Sequence, residues 1–492
     1  MNKFLLLTVG AWLAGSAADA GPVLNRWGAQ DMHHNMPGMQ MPMPQHEHSE
    51  APKQGPQHPP GEMRPQSTVP DLLQETAGRK ALRLEDFEQM ATSNPTLKQA
   101  SDLVRRTAGQ AKQAGLYPNP SVGYEGDQIR GGEYHGGEQG AFVQQTIVLG
   151  GKLRLRRQTL EAQQREDELG AAEQRSRVSS EVAQSFYAAL AAQEAVKVRH
   201  DLLKLAQDAV TTAHQLANVG QADAPDVLLS EVEEEQAQLE YVTAQRNYIQ
   251  EFRSLAAVAG QTGLPLARLE GKLEEVPPID PQAIVDTILR DSPTVKRAEQ
   301  AAVAAQAQLR SARRESVPDI TVRAGLQQSY EAINQTGRPV GVQGFGTATV
   351  ALPIFNRNQG NVQTAEAELE RAQADVSRVR LSLRQLAEPL AQRYLASQAQ
   401  ATRYKQEMIP RASRAYQLYL DRYRAMAAAY PQVIVSQRTL FQLQISYIRV
   451  LQELWTSAVL LQNFNLTGAL EAPIASPGPV GAINLPTGSG AQ

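Results

Sequence analysis

From residue 82 onward the apolar positions follow two rules, and the chain applies each of them twice. Between Lys152 and about Val219, Val182, Ala189, Val196, Leu203 and Val210 recur every seven residues, with Ala192, Ala206 and Ala213 beside them. Between Gly360 and about Met426 the same spacing returns at Val362, Leu369, Val376, Leu383 and Leu390, accompanied by Ala365, Ala372, Val379 and Leu386. A seven-residue apolar repeat predicts a helix with one seam, and small residues in the seam let a neighbouring helix approach closely. Each stretch is read as one uninterrupted helix, ~100 Å long at 1.5 Å per residue.

The second rule is alternation. In the run that begins at Ile320, the apolar Ile320, Val322, Ala324 and Leu326 interleave with Asp319, Thr321, Arg323, Gly325 and Gln327. A period of two with one apolar and one polar face predicts a strand in a wall between lipid and water, or one in a half-buried soluble sheet. Two strand pairs are expected, at 118–129 with 139–149 and at 318–330 with 341–354, each joined by a glycine-bearing loop, RGGEYHGGEQ and EAINQTGRP. Four strands cannot close a barrel around a lumen, so membrane strands here would require several protomers.

Each long helix runs into a turn and a returning helix. Pro225 and Pro431 suit the first turn of those returning helices, which run to about Ala259 and Phe464. Upstream, Asn94-Pro95-Thr96-Leu97 is echoed 198 residues later by Ser292-Pro293-Thr294-Val295. The chain therefore divides into a first repeat at 82–260 with its hairpin at 152–259, a linker at 261–281, and a second repeat at 282–467 with its hairpin at 360–466. Residues 468–492, rich in Pro and Gly, are read as a disordered tail.

The N-terminus obeys neither rule. Residues 1–20 carry Lys3, an apolar run from Phe4 to Ala14 and a small-x-small site at Ala18-Asp19-Ala20, the layout of a secretory signal. Residues 21–70 form an arm rich in Met, His and Pro, whose composition cannot build a core. Met32, His33, His34, Met36, Met39, Met41, Met43, His46 and His48 crowd residues 32–48, with His58 and Met63 beyond. Thioether and imidazole suit Cu(I), Ag(I) and, through imidazole, Cu(II), Ni(II) and Zn(II), so transient contact with soft metal ions is expected without a fixed site.

Composition narrows the classes. Aromatics are only 5% of 492 residues and the mean hydropathy is −0.39, which fits thin walls better than a thick core. The net charge of −3 removes the electrostatic case for nucleic-acid binding, and the absence of cysteine excludes disulfides, thiolate metal sites and a lipidated cysteine. His135, His200 and His214 stand isolated, Glu233-Glu234-Glu235 reads as a solvated helix face, and no nucleophile or paired-carboxylate arrangement stands out. The sequence does not read as an enzyme, and no obligatory cofactor is expected.

The tandem order of helix, strand, strand, very long helix, turn and returning helix, with N-P-x-L openings and a V-G-x5-D-V first tip, resembles the TolC-type outer-membrane efflux ducts over about 82–470. With the Met/His arm it is most similar to their heavy-metal branch, the CzcC- and CusC-like partners of resistance-nodulation-division pumps. The resemblance implies a mainly α protein with a membrane β-barrel: a homotrimer whose 12-stranded barrel in the outer membrane continues as an α-helical barrel in the periplasm. It further implies a periplasmic membrane-fusion adaptor and an inner-membrane pump as partners, and passive export of heavy-metal ions, copper and silver favoured.

The resemblance also implies a gate near the two helical tips, at Asp223, Pro225 and Asp226 in the first and Tyr423, Pro431 and Gln432 in the second. Asp223, Asp226 and Glu231 would give an acidic entrance. The second tip departs from the family pattern, with Met426 where glycine is usual and Gln432 and Val435 where the founding type carries aspartates. A duct for organic solutes is the alternative within the family. A periplasmic adaptor would show a single hairpin, and a fibrous coiled coil would lack the proline-flanked strand pairs.

Overall fold

The computed structural model describes residues 78–131, 134–135, 137–220, 223–333, 337–425, 427 and 430–463. The expected signal, Met/His arm and tail lie outside the described residues. Both halves open on the same local device. Helix α1 (Leu84–Ala91) leads into α2 (Pro95–Ala114), and α5 (Pro281–Asp291) leads into α6 (Pro293–Arg314). Asn94 and Ser292 are the buried N-caps of α2 and α6: Asn94 Oδ1 accepts the Thr96 N–H at 2.9 Å, and Ser292 Oγ accepts the Val295 N–H at 3.2 Å. The following proline sits where no helical N–H bond is lost.

The strands are β1 (Ser121–Asp127), a two-residue ribbon of β2 (Arg130–Gly131) and β3 (Tyr134–His135), β4 (Glu138–Ile147), β5 (Ile320–Ile333) and β6 (Arg338–Val350). Four of them form one antiparallel sheet in the order β1-β4-β5-β6. The β4–β5 ladder, from Ile147 opposite Ile320 to Glu138 opposite Ser329, fuses the two halves. The observed limits differ from the expected ones. Pro118 and Pro120 keep β1 from starting earlier, and β6 stops at Val350, opposite Ile320 where its partner β5 begins, instead of running to 354. β5 extends to Ile333 through an irregularity between Ser329 and Ala332.

Cross-strand partners share a face. One face carries Val122, Tyr124, Ala141, Val143, Ile147, Val322, Leu326, Val342 and Val350, and many of these are exposed, Val122 to 77%. The opposite face carries Glu125, Asp127, Glu138, Gln144, Thr321, Arg323, Gln327, Gln343 and Thr347. The sheet thus has an apolar and a polar side.

Helix α3 (Lys152–Asn218) is unbroken for 67 residues and returns as α4 (Ala224–Val258). The second hairpin corrects the expectation of an uninterrupted helix. It is divided into α7 (Gln359–Arg403), a π-helical turn (Tyr404–Met408) and α8 (Ile409–Arg424), and returns as α9 (Tyr430–Asn463). Pro410 cannot donate, and the Ile409 N–H reaches back five residues to the Tyr404 carbonyl, so the π turn absorbs the proline. Pro389 lies inside α7 as well. The seam also drifts: Leu386 is 47% exposed and Ala387, at 1%, takes its place, because 3.6 residues per turn outruns a seven-residue repeat. Among the described residues no helix is long and apolar enough to cross a membrane.

Large aromatic side chains gather at mid-height, where Phe87 meets Phe252 edge to face and Phe186 at a tilt, and Tyr187 stacks on Trp455 at 3.6 Å. Around them the linker winds as a belt, bridged to the start of α1 through Leu82 and Leu269. One side chain from each of four long helices holds it. Gln193 of α3 accepts the Leu269 N–H at 2.8 Å and donates to the Leu269 carbonyl at 3.1 Å. Tyr248 of α4 donates to the Ala267 carbonyl, Trp455 of α9 donates to the Leu273 carbonyl, and the Tyr394 hydroxyl of α7 accepts the Ile279 N–H.

Replacing Gln193 by Leu leaves both backbone groups of Leu269 buried without their partner, at a cost of about 3 kcal/mol. Denaturant unfolding in detergent is expected to show that loss, with Lys272→Ala, on the exposed side of the belt, within about 0.5 kcal/mol of the parent. Equal stability of the two variants would mean that the belt is held by packing alone.

Candidate functional site

Charge and aromatic side chains concentrate away from the core in two places, the turn ends of the hairpins and the polar face of the sheet. At the first tip α3 stops on Gly220 in the left-handed region, φ +72°. The chain resumes at Asp223, whose carbonyl accepts the Asp226 N–H at 3.0 Å and whose side chain makes no capping bond. Pro225 and Asp226 fill the first turn of α4, where a carboxylate is favoured by the helix dipole.

At the second tip Tyr430 and Pro431 open α9. The Tyr430 ring lies 5.3 Å from that of Tyr423, and Tyr430, Val433 and Ile434 pack with Tyr416 and Leu420 of α8 and with Ala209 of α3. The two hairpins therefore touch near their ends. Burial raises the Tyr423 phenol above its ordinary range and the Asp226 carboxylate adds to the rise. Burial likewise pushes Tyr430 up to about 12, reinforced by Tyr423, Glu233, Tyr416 and Asp226.

The structure thus brings Asp226 and Tyr423 into one electrostatic neighbourhood, with Tyr430 as the member the sequence reading missed. Asp223 remains exposed, and Gln432 lies beside Tyr419 and Val435 on an open groove. Met426 is outside the described residues, as are Met32, His33, His34, Met36, Met39, Met41, Met43, His46 and His48.

Two expectations are corrected here. Glu233 is not on a solvated face: its side chain is 15% exposed and receives both a guanidinium Nε–H of Arg438, at 3.0 Å, and a second N–H of the same group. That pair joins α4 to α9 across 205 residues, which no local charge pattern announces. His214 is not isolated, since its Nε2 lies 3.2 Å from a Glu231 oxygen on the facing helix. Among the described residues no group of three or more His, Asp and Glu side chains is placed to hold a metal ion.

The polar sheet face holds a second constellation. The Arg323 guanidinium lies 3.8 Å from the centre of the Phe142 ring and 5.5 Å from that of Phe345, and it pairs with Glu125 of β1. Phe142 covers Gly123 and Phe345 covers Gly325, each its cross-strand partner, so closely that a Cβ on either glycine would strike the ring. These pairs recur at offsets of 202 and 203 residues. The internal repeat was the signal that could have found them.

The sequence family described as "Outer membrane efflux protein" matches residues 87–261 and 284–464. The chain is 28% identical over 398 residues to the cobalt-zinc-cadmium resistance protein CzcC of Cupriavidus metallidurans, covering 81% of this chain and 92% of that protein. It is 26% identical over 323 residues to the nickel-cobalt-cadmium resistance protein NccC of Alcaligenes xylosoxydans xylosoxydans, covering 64% and 70%. Among solved structures, CusC superposes with a TM-score of 0.63 at 18% identity, covering 82% of this chain and 98% of that one. VceC of Vibrio cholerae gives 0.63 at 17% identity, covering 77% and 95%. At these identities the solved structures speak to the fold.

A phenol whose folded pKa is raised favours the protonated, folded form. The stability that Tyr430 contributes is present below its unfolded value near 10 and is lost as the pH climbs toward 12. Ultraviolet difference titration of the folded protein is expected to show late-ionising tyrosines, one fewer in Tyr430→Phe. Early ionisation of Tyr430 would mean that the tip cluster is open to water.

Proposed function

Since this chain belongs to the outer membrane efflux protein family, we propose that it is the passive trimeric exit duct of a tripartite metal-cation efflux system. The protein is an outer-membrane channel component with its helices in the periplasm. The observation that carries the finer reading is the sheet. It has an apolar and a polar side and two open edges, β1 and β6, so three copies placed edge to edge supply twelve strands and a wet lumen. A homotrimer satisfies every edge; a single chain does not. The hairpins extend from that barrel toward a periplasmic adaptor and an inner-membrane pump, which supplies the energy.

Metal cations are the cargo this reading favours, because the curated relatives CzcC and NccC are named for resistance to cobalt, zinc, cadmium and nickel. The methionines of residues 32–63 extend the range to copper and silver, whose soft ions thioethers prefer. The histidines suit the borderline divalent ions. The arm collects or buffers ions at the duct and is not a stoichiometric site.

A strain lacking the protein is expected to lose tolerance to metals in a panel of copper, silver, zinc, cobalt, nickel and cadmium, and to keep its tolerance to organic toxicants. Sensitivity to organic toxicants alone would move the protein to the solute-exporting ducts. Deleting residues 31–63 is expected to weaken copper and silver tolerance with trimers intact. Unchanged tolerance across the panel would reduce the arm to a tether.

The tips are the narrow end in this reading, closed by the contacts between hairpins. Arg438→Ala and Glu233→Gln each break the cross-hairpin pair, and each is expected to raise single-channel conductance in planar bilayers. The double variant should add little to either single one, because both remove the same contact. Conductance equal to the parent's would mean that the pair does not restrain the opening.

A further inference from the structure

The turn between α1 and α2, together with α3, leaves an open groove that nothing among the described residues fills. Its floor is Ala91, Leu97 and Val178, and Glu88, Lys98 and Arg175 stand at its rim. Among the described residues neither Lys98 nor Arg175 has a carboxylate partner. An apolar trough with two unpaired cations beside it calls for a segment that is apolar and acidic.

Helix α9 ends at this place. The carbonyl of Asn463, its last residue, accepts the Ser176 hydroxyl of α3 at 2.8 Å, one residue from Arg175 and two from Val178. The chain therefore leaves α9 at the groove's rim. The residues that follow are Phe464-Asn465-Leu466-Thr467-Gly468-Ala469-Leu470-Glu471, three large apolar side chains and then a carboxylate, with no basic residue from 464 to 492. Eight residues reach at most ~27 Å when extended, ample to cross from Asn463 to Lys98 on the neighbouring helix. The family match stops at residue 464, the first residue of this segment.

We propose that segment 464–471 of the same chain docks in the groove. Phe464, Leu466 and Leu470 supply the apolar surface for Ala91, Leu97 and Val178, and Glu471 supplies the carboxylate for Lys98 and Arg175. The segment straps the α1–α2 corner of the first repeat to the end of the second, at the height where the belt encircles the helices. The assignment rests on the exit point of the chain and on complementary chemistry, and it is independent of the metal carried.

The absence of cysteine makes the test clean, because introduced cysteines are the only thiols. Two paired variants of the full chain in membranes, Ser101→Cys with Leu470→Cys and Lys98→Cys with Glu471→Cys, are oxidised and digested. A linked peptide within one chain is expected for at least one pair, and none for a control joining Leu470→Cys to Gln363→Cys on the exposed part of α7. In parallel, maleimide labelling of Lys98→Cys is expected to be about tenfold slower in the full chain than in a chain ending at Asn463. Equal labelling rates without an intrachain link overturn the proposal, and so does a link formed only between chains, which would give the groove to a neighbouring copy. If the shortened chain does not assemble, the linking result decides alone.

Discussion

In a lipid bilayer every backbone N–H and C=O must find its partner within protein, because no water is there to supply one. That constraint shapes this chain more than any packing preference. Two hairpins from distant parts of the sequence are fused through the β4–β5 ladder, and among the described residues the sheet still ends in two unpaired edges. The helices inherit their positions from it. Lys152, at the start of α3, is buried and pairs at 2.7 Å with Asp319 at the foot of β5, whose carboxylate also accepts the Leu149 N–H. Arg156 and Glu315 make a second pin one turn away. Where the strands stand, the long helices must begin.

Below the sheet the wall is thin, and the side chains show it. The upper part of α3 buries Gln163, Glu166, Asp167, Glu173 and Arg177 against α2 and α6, held by pairs such as Thr107 with Asp167 and Arg297 with Glu173. Buried charges of this kind stabilise only when paired, and removing one partner is the costly event. Apolar mass is reserved for mid-height, where the aromatic cluster and the belt thicken the structure, and for the small tyrosine cluster at the tips. An aromatic content of 5% suffices because it is spent at these levels.

Periodicity made the architecture legible. The alternation at Ile320–Leu326 and the seven-residue seam at Val182–Val210 are properties of a single strand or helix, and the sequence displays them directly. The 198-residue echo of Asn94-Pro95 in Ser292-Pro293 exposed the duplication. What stayed hidden were partners set by tertiary arrangement. Glu233 looks like any charge on a solvated helix until Arg438 arrives from α9, and Gln193 looks like a surface residue until the belt is laid against it. The break in the second long helix was legible in Pro410, a proline that the reading of an uninterrupted helix passed over. Of the candidate gate residues, Asp226 and Tyr423 meet through Tyr430, a residue whose role depends on a turn that composition cannot describe.

The two hairpins also differ as mechanical parts. The outgoing arm of the first is a continuous rod of 67 residues, whereas that of the second is two shorter rods meeting at Tyr404–Met408. A hydrogen-bond ladder that skips a register bends more readily than an intact one. Load applied at the periplasmic end is therefore taken up unequally: the first hairpin transmits it as a strut, and the second flexes at its joint. In the proposed trimer such chains would form a ring of three stiff and three compliant staves, and the compliant members would yield first.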